Sequence, residues 1–266
     1  MGVAAVRTLT MASLVQLQSD PPLSIETVPV LSDNYLYLLS RAGQAVVVDP
    51  AVAEPLIERL ERQNLELVAV LQTHHHHDHI GGTPGLLARW PQAQVVAAAS
   101  DRQRIPLQTL GVADGDHLVL LGQTVEVLSV PAHTQAHLAF YLPESGDLFC
   151  GDTLFVAGCG RLFEGSAQQM LAALQRLTAL PETTRVWCAH EYSAANLRWA
   201  LSRVQASDPL AVALQQRLEQ VLDLRSRGLP SVPSTVAAER ATNLFVRSGS
   251  AAELAGLREH KDHWRG

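Results

Sequence analysis

Two patterns of apolar spacing divide this chain. Up to about residue 190, short apolar runs alternate with turn residues, as in strands buried in a sheet. Residues 33–39 and 44–49 read as two strands around Arg41-Ala42-Gly43, and 65–71, 94–98, 137–142, 147–150 and 185–188 as further strands. Residues 118–121 and 124–130 flank Gly122-Gln123, a hairpin signal. Helical spacing appears over 54–63 at Leu56, Ile57 and Leu60, again over 85–90, and from a Ser166 cap to about Leu180. Beyond His190 strand signals vanish. Residues 194–205 and 209–225 predict helices, Gly228-Leu229-Pro230 and Pro233 break the chain, and 251–259 predict a last helix. Mixed strands and helices followed by helices alone predict a layered α/β body with an appended helical piece. No internal repeat is visible.

Composition narrows the class. The chain has 266 residues, 47% hydrophobic and 17% charged, enough for a sizeable core. No apolar stretch approaches the roughly 18 residues of a membrane helix, so no membrane partner is expected. The net charge of −6 argues against a nucleic-acid partner. Charge is unevenly spread: residues 192–266 carry ten Lys+Arg against seven Asp+Glu, the remainder ten against nineteen. A basic C-terminal part on an acidic body points to an anionic ligand, and the only lysine, Lys261, lies there with Arg258. Cys150, Cys159 and Cys188 are odd in number and lack CxxC spacing, so they read as small buried hydrophobes in a reducing, cytoplasmic setting. Residues 1–22 lack the long apolar core of a secretory signal and read as an N-terminal extension.

The chemistry concentrates in Thr73-His74-His75-His76-His77-Asp78-His79. Imidazole and carboxylate suit first-row ions such as zinc, iron or manganese. In an extended segment His74, His76 and Asp78 share one side, and a turn at Gly81-Gly82 swings His79 toward them; His75 and His77 face away. A His-rich tract or tag is the plain alternative, but this one is internal and follows a strand. His133, Asp152 and His190 each sit just past a predicted strand, where sites are commonly built. Singly, each is an ordinary surface residue. Jointly, five His and two Asp could hold two ions with a position left open for water. Two adjacent divalent ions lower the pKa of a shared water toward ~7, which is hydrolytic chemistry.

The loop with His133, Asp152 and His190 resembles the metallo-β-lactamase superfamily. The matches Asp33-Asn34-Tyr35, the run from Gly151-Asp152-Thr153 to Phe163-Glu164-Gly165, His190-Glu191-Tyr192 and Arg258-Glu259-His260-Lys261-Asp262 are similar to the glyoxalase II family. The resemblance implies an αββα sandwich over residues 23–191 and a helical substrate-binding domain over 192–266. It implies one ion on His74, His76 and His133, a second on Asp78, His79 and His190, and Asp152 bridging them. Zinc is the expected pair, with iron or manganese as alternatives. Arg161, Phe163, Tyr192, Arg258 and Lys261 match positions that contact glutathione. The implied reaction is hydrolysis of S-D-lactoylglutathione and related glutathione thioesters by a monomer, with Asp78 orienting the attacking hydroxide. Two departures stand out. Ala132 and Ala136 replace frequent glycines, which would strain a backbone at positive φ, and Phe163 lacks a tyrosine hydroxyl. Competing readings are another hydrolase or a glutathione persulfide dioxygenase on the same fold, or a non-catalytic metal-binding protein.

Overall fold

The computed structural model describes residues 21–265, so of the expected extension 1–22 all but Pro21 and Pro22 lies outside the described residues. The first sheet joins β1 (Ser24–Val30), β2 (Asn34–Arg41), β3 (Gln44–Val48), β4 (Glu66–Leu71), β5 (Gln94–Ala98) and β6 (Leu110–Val112) in that order. β1 to β3 form an antiparallel meander, and β3 to β6 are parallel. Parallel neighbours need crossovers. Helix α1 (Glu54–Arg62) links β3 to β4, and α2 (His77–Ile80) with α3 (Thr83–Arg89) links β4 to β5.

The second sheet contains β7 (His117–Leu120), β8 (Gln123–Ser129), β9 (Leu138–Leu142), β10 (Asp147–Gly151), β13 (Arg185–Cys188) and β14 (Ser234–Thr235), ordered β14-β13-β10-β9-β8-β7. Between β10 and β13 lie a small hairpin, β11 (Leu154–Phe155) with β12 (Gly158–Cys159), and helix α4 (Ala167–Thr178). Four helices follow: α5 (Ser193–Leu201), α6 (Pro209–Ser226), α7 (Val236–Thr242) and α8 (Ala251–His263).

The two-residue period of β2 explains the layering. Tyr37 and Leu39 point into a core shared with Phe140 and Phe149 of the second sheet. Leu36 and Leu38 point the other way, against Leu56 and Leu60 of α1 and Leu86 of α3. Helix α4 lays Met170, Leu171, Leu174 and Leu177 into the larger core, and its start is fixed by the Ser166–Gln169 capping box. Helices thus lie outside paired sheets, the αββα sandwich.

Three details differ from the sequence expectation. The β7–β8 turn is Leu121-Gly122, one residue earlier than expected, with φ of 52° and 66°. A two-residue hairpin turn of this kind needs positive φ at both positions, and Leu121 adopts it with its side chain buried in the core. Second, β14 extends the second sheet from the C-terminal segment, pairing antiparallel with β13; two residues are too few to show a period. Third, neither Ala132 nor Ala136 has positive φ, so replacing glycine there brings no strain.

The C-terminal helices are docked through a buried carboxylate. Glu239 is fully buried and pairs with Arg217. It also accepts hydrogen bonds from Ser234 Oγ (2.5 Å), the Ala157 amide (2.9 Å) and Asn243 Nδ2 (2.9 Å). Asn243 donates to the Phe155 and Gly158 carbonyls, and Asn196 to Val156. Residues from α5 and α7 therefore grip the β11–β12 hairpin by its backbone.

Candidate metal centre

Four strand ends deliver the candidate donors to one place. His74 and His76 follow β4, His133 follows β8, Asp152 follows β10 and His190 follows β13. Asp78 and His79 arrive differently from the expected extended loop. His76 is extended (φ −61°, ψ 144°), but 77–80 form one helical turn. That turn, rather than Gly81-Gly82, aims Asp78 and His79 inward. His75 faces away to Asp101, 3.1 Å from Nδ1, and His77 is exposed.

All seven side chains meet. Donor atoms lie within 4.8 Å of one another in three sets: His74, His76 and His133; Asp78, His79 and His190; and His74, His79 and Asp152. Asp152 spans the first two sets. Its Oδ2 is 3.3 Å from His133 Nε2, and its Oδ1 is 3.5 Å from His79 Nε2 and 3.4 Å from His190 Nε2. His79 Nε2 and Asp152 Oδ1 are buried without a hydrogen-bonding partner. Such atoms cost roughly 1–3 kcal/mol each when left unsatisfied, and a cation between them would satisfy both. The donor set of nitrogens and oxygens, with no cysteine, fits a pair of first-row divalent ions in open coordination.

Four of the five imidazoles are held by their other nitrogen. His79 Nδ1 donates to Asp49 Oδ2 (2.9 Å), His190 Nδ1 to Asp33 Oδ1 (2.8 Å), and His133 Nδ1 to the Arg161 carbonyl (3.0 Å). Thr73 Oγ1 lies 3.0 Å from His74 Nδ1 and donates to Asp49 Oδ2 (2.7 Å), while its amide donates to Asp49 Oδ1 (2.8 Å). These outer partners fix tautomer and ring direction. Sequence reasoning missed them; the available signal at Asp49 was a carboxylate closing an apolar strand. His137 is a second omission. It is fully buried, stacks on His74 with centroids 4.7 Å apart, and its Nε2 accepts from the Asp152 amide (3.2 Å).

Electrostatics split the cluster. Burial together with adjacent imidazoles pushes His74 far down and His76 down to about 4, and burial also lowers His133. These rings are neutral, the ligating form. Burial opposes charge on His190 too, but Asp152, Asp33 and Asp78 outweigh it and push it up to about 9; His79 is raised by Asp152 and Asp49 in the same way. Asp152 is held far below the usual carboxylate range: burial opposes the charge, and His79 and His190 overcome it.

A cavity of about 520 Å³ opens over the cluster, with His76, Asp78, His133, Asp152 and His190 at its inner end. The five other predicted residues, Arg161, Phe163, Tyr192, Arg258 and Lys261, line its walls. Phe163 is 60% exposed and sets its ring against His133 (5.1 Å). Tyr192 stacks on His190 at 4.9 Å. Arg258 is 7% exposed and bonds Asp262 Oδ1 (2.8 Å) and the Cys159 carbonyl (2.9 Å). Lys261 Nζ sits 5.5 Å from the Trp199 ring and 5.0 Å from Trp264, and burial and then Arg258 push it down to about 8. The three cysteines are free and buried, with burial raising each thiol.

Comparison with known proteins agrees with this geometry. Residues 30–190 match the metallo-beta-lactamase superfamily model, and 191–264 match the model of the hydroxyacylglutathione hydrolase C-terminus. A hydroxyacylglutathione hydrolase of Parasynechococcus marenigrum (strain WH8102) is 56% identical over 248 residues, covering 91% of this chain and 98% of that one. Among solved structures, ETHE1 from Myxococcus xanthus superposes with a TM-score of 0.65 at 25% identity, covering 91% of this chain and 92% of that one. The di-iron-bound form of TTHA1623 superposes with a TM-score of 0.52 at 29% identity, covering 63% and 91%. The chain therefore belongs to the metallo-β-lactamase superfamily and, within it, to the hydroxyacylglutathione hydrolase family.

Proposed function

We propose that this chain hydrolyses S-D-lactoylglutathione, and related 2-hydroxyacyl glutathione thioesters, to the 2-hydroxy acid and glutathione. The observation that carries the reading is one cavity onto which five of the seven clustered donors open, with cationic and aromatic side chains along its walls. The high identity to a hydroxyacylglutathione hydrolase over nearly its whole length supports the substrate class.

His74, His76 and His133 would hold one divalent ion; Asp78, His79 and His190 would hold the other, with Asp152 between them. The pair, zinc in our assignment with iron or manganese as alternatives, would acidify a shared water to ~7 and polarise the thioester carbonyl. The di-iron neighbour supports the nuclearity. The remaining work belongs to the chain's own residues. Asp78, half-buried with Oδ2 3.5 Å from His190 Nε2, orients the attacking water. Lys261 and Arg161 supply positive charge for the carboxylates of glutathione. Phe163 and Tyr192 cover the donor cluster on the cavity side and limit access of bulk solvent. Water gives a proton to solvent as its oxygen adds to the carbonyl carbon, the C–S bond breaks, and sulfur leaves as the thiolate, a good leaving group that takes its proton from solvent and needs no dedicated acid.

The test is turnover of S-D-lactoylglutathione by the metal-loaded protein, followed as loss of thioester absorbance. Turnover that disappears in Asp152→Ala together with bound metal supports the reading. No turnover at full metal loading removes the substrate assignment. Oxygen consumption with a glutathione persulfide, in place of thioester hydrolysis, would favour a dioxygenase instead.

A further inference from the structure

The motif Asp33-Asn34-Tyr35 supplies no candidate ligand, yet Asp33 and Tyr35 reach across to the segment after β13 of the opposite sheet, and Asn34 reaches Asp78 after β4 of its own sheet. Asn34 forms an isolated antiparallel bridge with His190. The Tyr35 amide donates to the Ala189 carbonyl (2.7 Å), and the Glu191 amide to the Asp33 carbonyl (2.8 Å). This backbone lock places Asp33 Oδ1 2.8 Å from His190 Nδ1. A carboxylate only accepts, so His190 donates through Nδ1 and Nε2 is left facing Asp78 and Asp152. Buried Asn34 donates through Nδ2 to Asp78 Oδ2 (3.0 Å) and to the Asp78 carbonyl (3.3 Å). Two adjacent residues thus fix two of the three donors in the Asp78, His79 and His190 set. The imidazoles of the other set answer to different partners, Thr73 for His74 and the Arg161 carbonyl for His133.

We infer that Asp33 and Asn34 are positioning residues for the second cation alone, a clamp through which the start of β2 sets that ion's affinity independently of the first. The inference rests on the two-cation reading above. Tyr35 plays a different part: its hydroxyl donates to Glu191 Oε2 (2.5 Å), away from both donor sets.

The test is zinc binding to the full chain, measured as equivalents retained after dialysis against buffered free zinc. It is paired with electron paramagnetic resonance of the manganese-loaded protein, which separates a spin-coupled ion pair from an isolated ion. The wild type should retain two equivalents and show the coupled signal. Asp33→Ala and Asn34→Ala should keep one tight equivalent, bind the second about 10–100-fold more weakly, and show an isolated-ion signal. Asp33→Asn keeps an oxygen for His190 and should recover much of the second site; Tyr35→Phe should keep both ions. Unchanged affinity for both ions in Asp33→Ala and Asn34→Ala, or equal loss of both, would overturn the clamp while leaving the two-cation reading intact. A wild type that binds one equivalent would overturn that reading and the clamp with it.

Discussion

Replacing Glu239 by alanine tests whether the helical segment holds the catalytic wall in place. The Arg217 guanidinium, with 12% of its side chain exposed, would lose its carboxylate, and the Ala157 amide would lose its only named acceptor. Breaking a buried ion pair from one side costs about 3–5 kcal/mol because the remaining charge stays buried. For a chain of this size about 2–4 °C accompanies each kcal/mol, so the melting temperature should fall by about 6–20 °C. Glu239 grips the hairpin that carries Phe155 and Cys159 and leads to Arg161 and Phe163. Surviving folded protein should therefore show a raised KM for the thioester, with kcat changed less. Calorimetry and urea titration supply the stability, steady-state kinetics the split. Because an apolar pair removes the stranded charge but leaves the Ala157 amide without the Glu239 acceptor, Arg217→Met with Glu239→Leu should regain part of the loss. A Glu239→Ala chain within about 1 kcal/mol of wild type, or a double variant no better than the single one, would refute the reasoning.

Other outcomes follow from the same geometry. Asp49→Ala removes the acceptor of His79 and of Thr73, and should weaken metal binding about 10–100-fold in competition with a chromophoric chelator. Burial and Arg258 push Lys261 down to about 8, and it attracts carboxylates only while charged, so kcat/KM of the wild type should fall as pH rises through about 8. In Lys261→Met that fall should be absent and KM high throughout. A Cβ at Gly160 would stand 1.9 Å from the Asp152 carbonyl oxygen; Gly160→Ala must displace the Asp152 backbone and should lower kcat/KM on the order of 10²-fold, read in the thioester assay.

The donor residues were legible because their chemistry is rare and their placement regular: each of His133, Asp152 and His190 follows an apolar run. The turn of helix at 77–80 was not, since four residues hold no period. Asp49 closes a predicted strand and Asp33 opens one within a motif shared with the family, yet their roles toward His79 and His190 appear only when remote segments meet. Strand β14 is set by pairing with β13 rather than by its own two residues. The setting of Arg258 is tertiary. The spacing to Asp262 fits an exposed i,i+4 helix pair, but packing of the last helix on the body buries the guanidinium against Cys159. Continuous apolar strands such as β2, and the Ser166 cap, needed no tertiary information.

On this reading four strand ends and one helical turn seat two cations side by side. Anomalous diffraction from crystals of the metal-loaded chain, collected at the metal's absorption edge, tests it most directly. Two peaks are predicted, one bounded by His74, His76 and His133 and one by Asp78, His79 and His190, with Asp152 between them. A single peak at full metal loading, or peaks away from these residues, would contradict it.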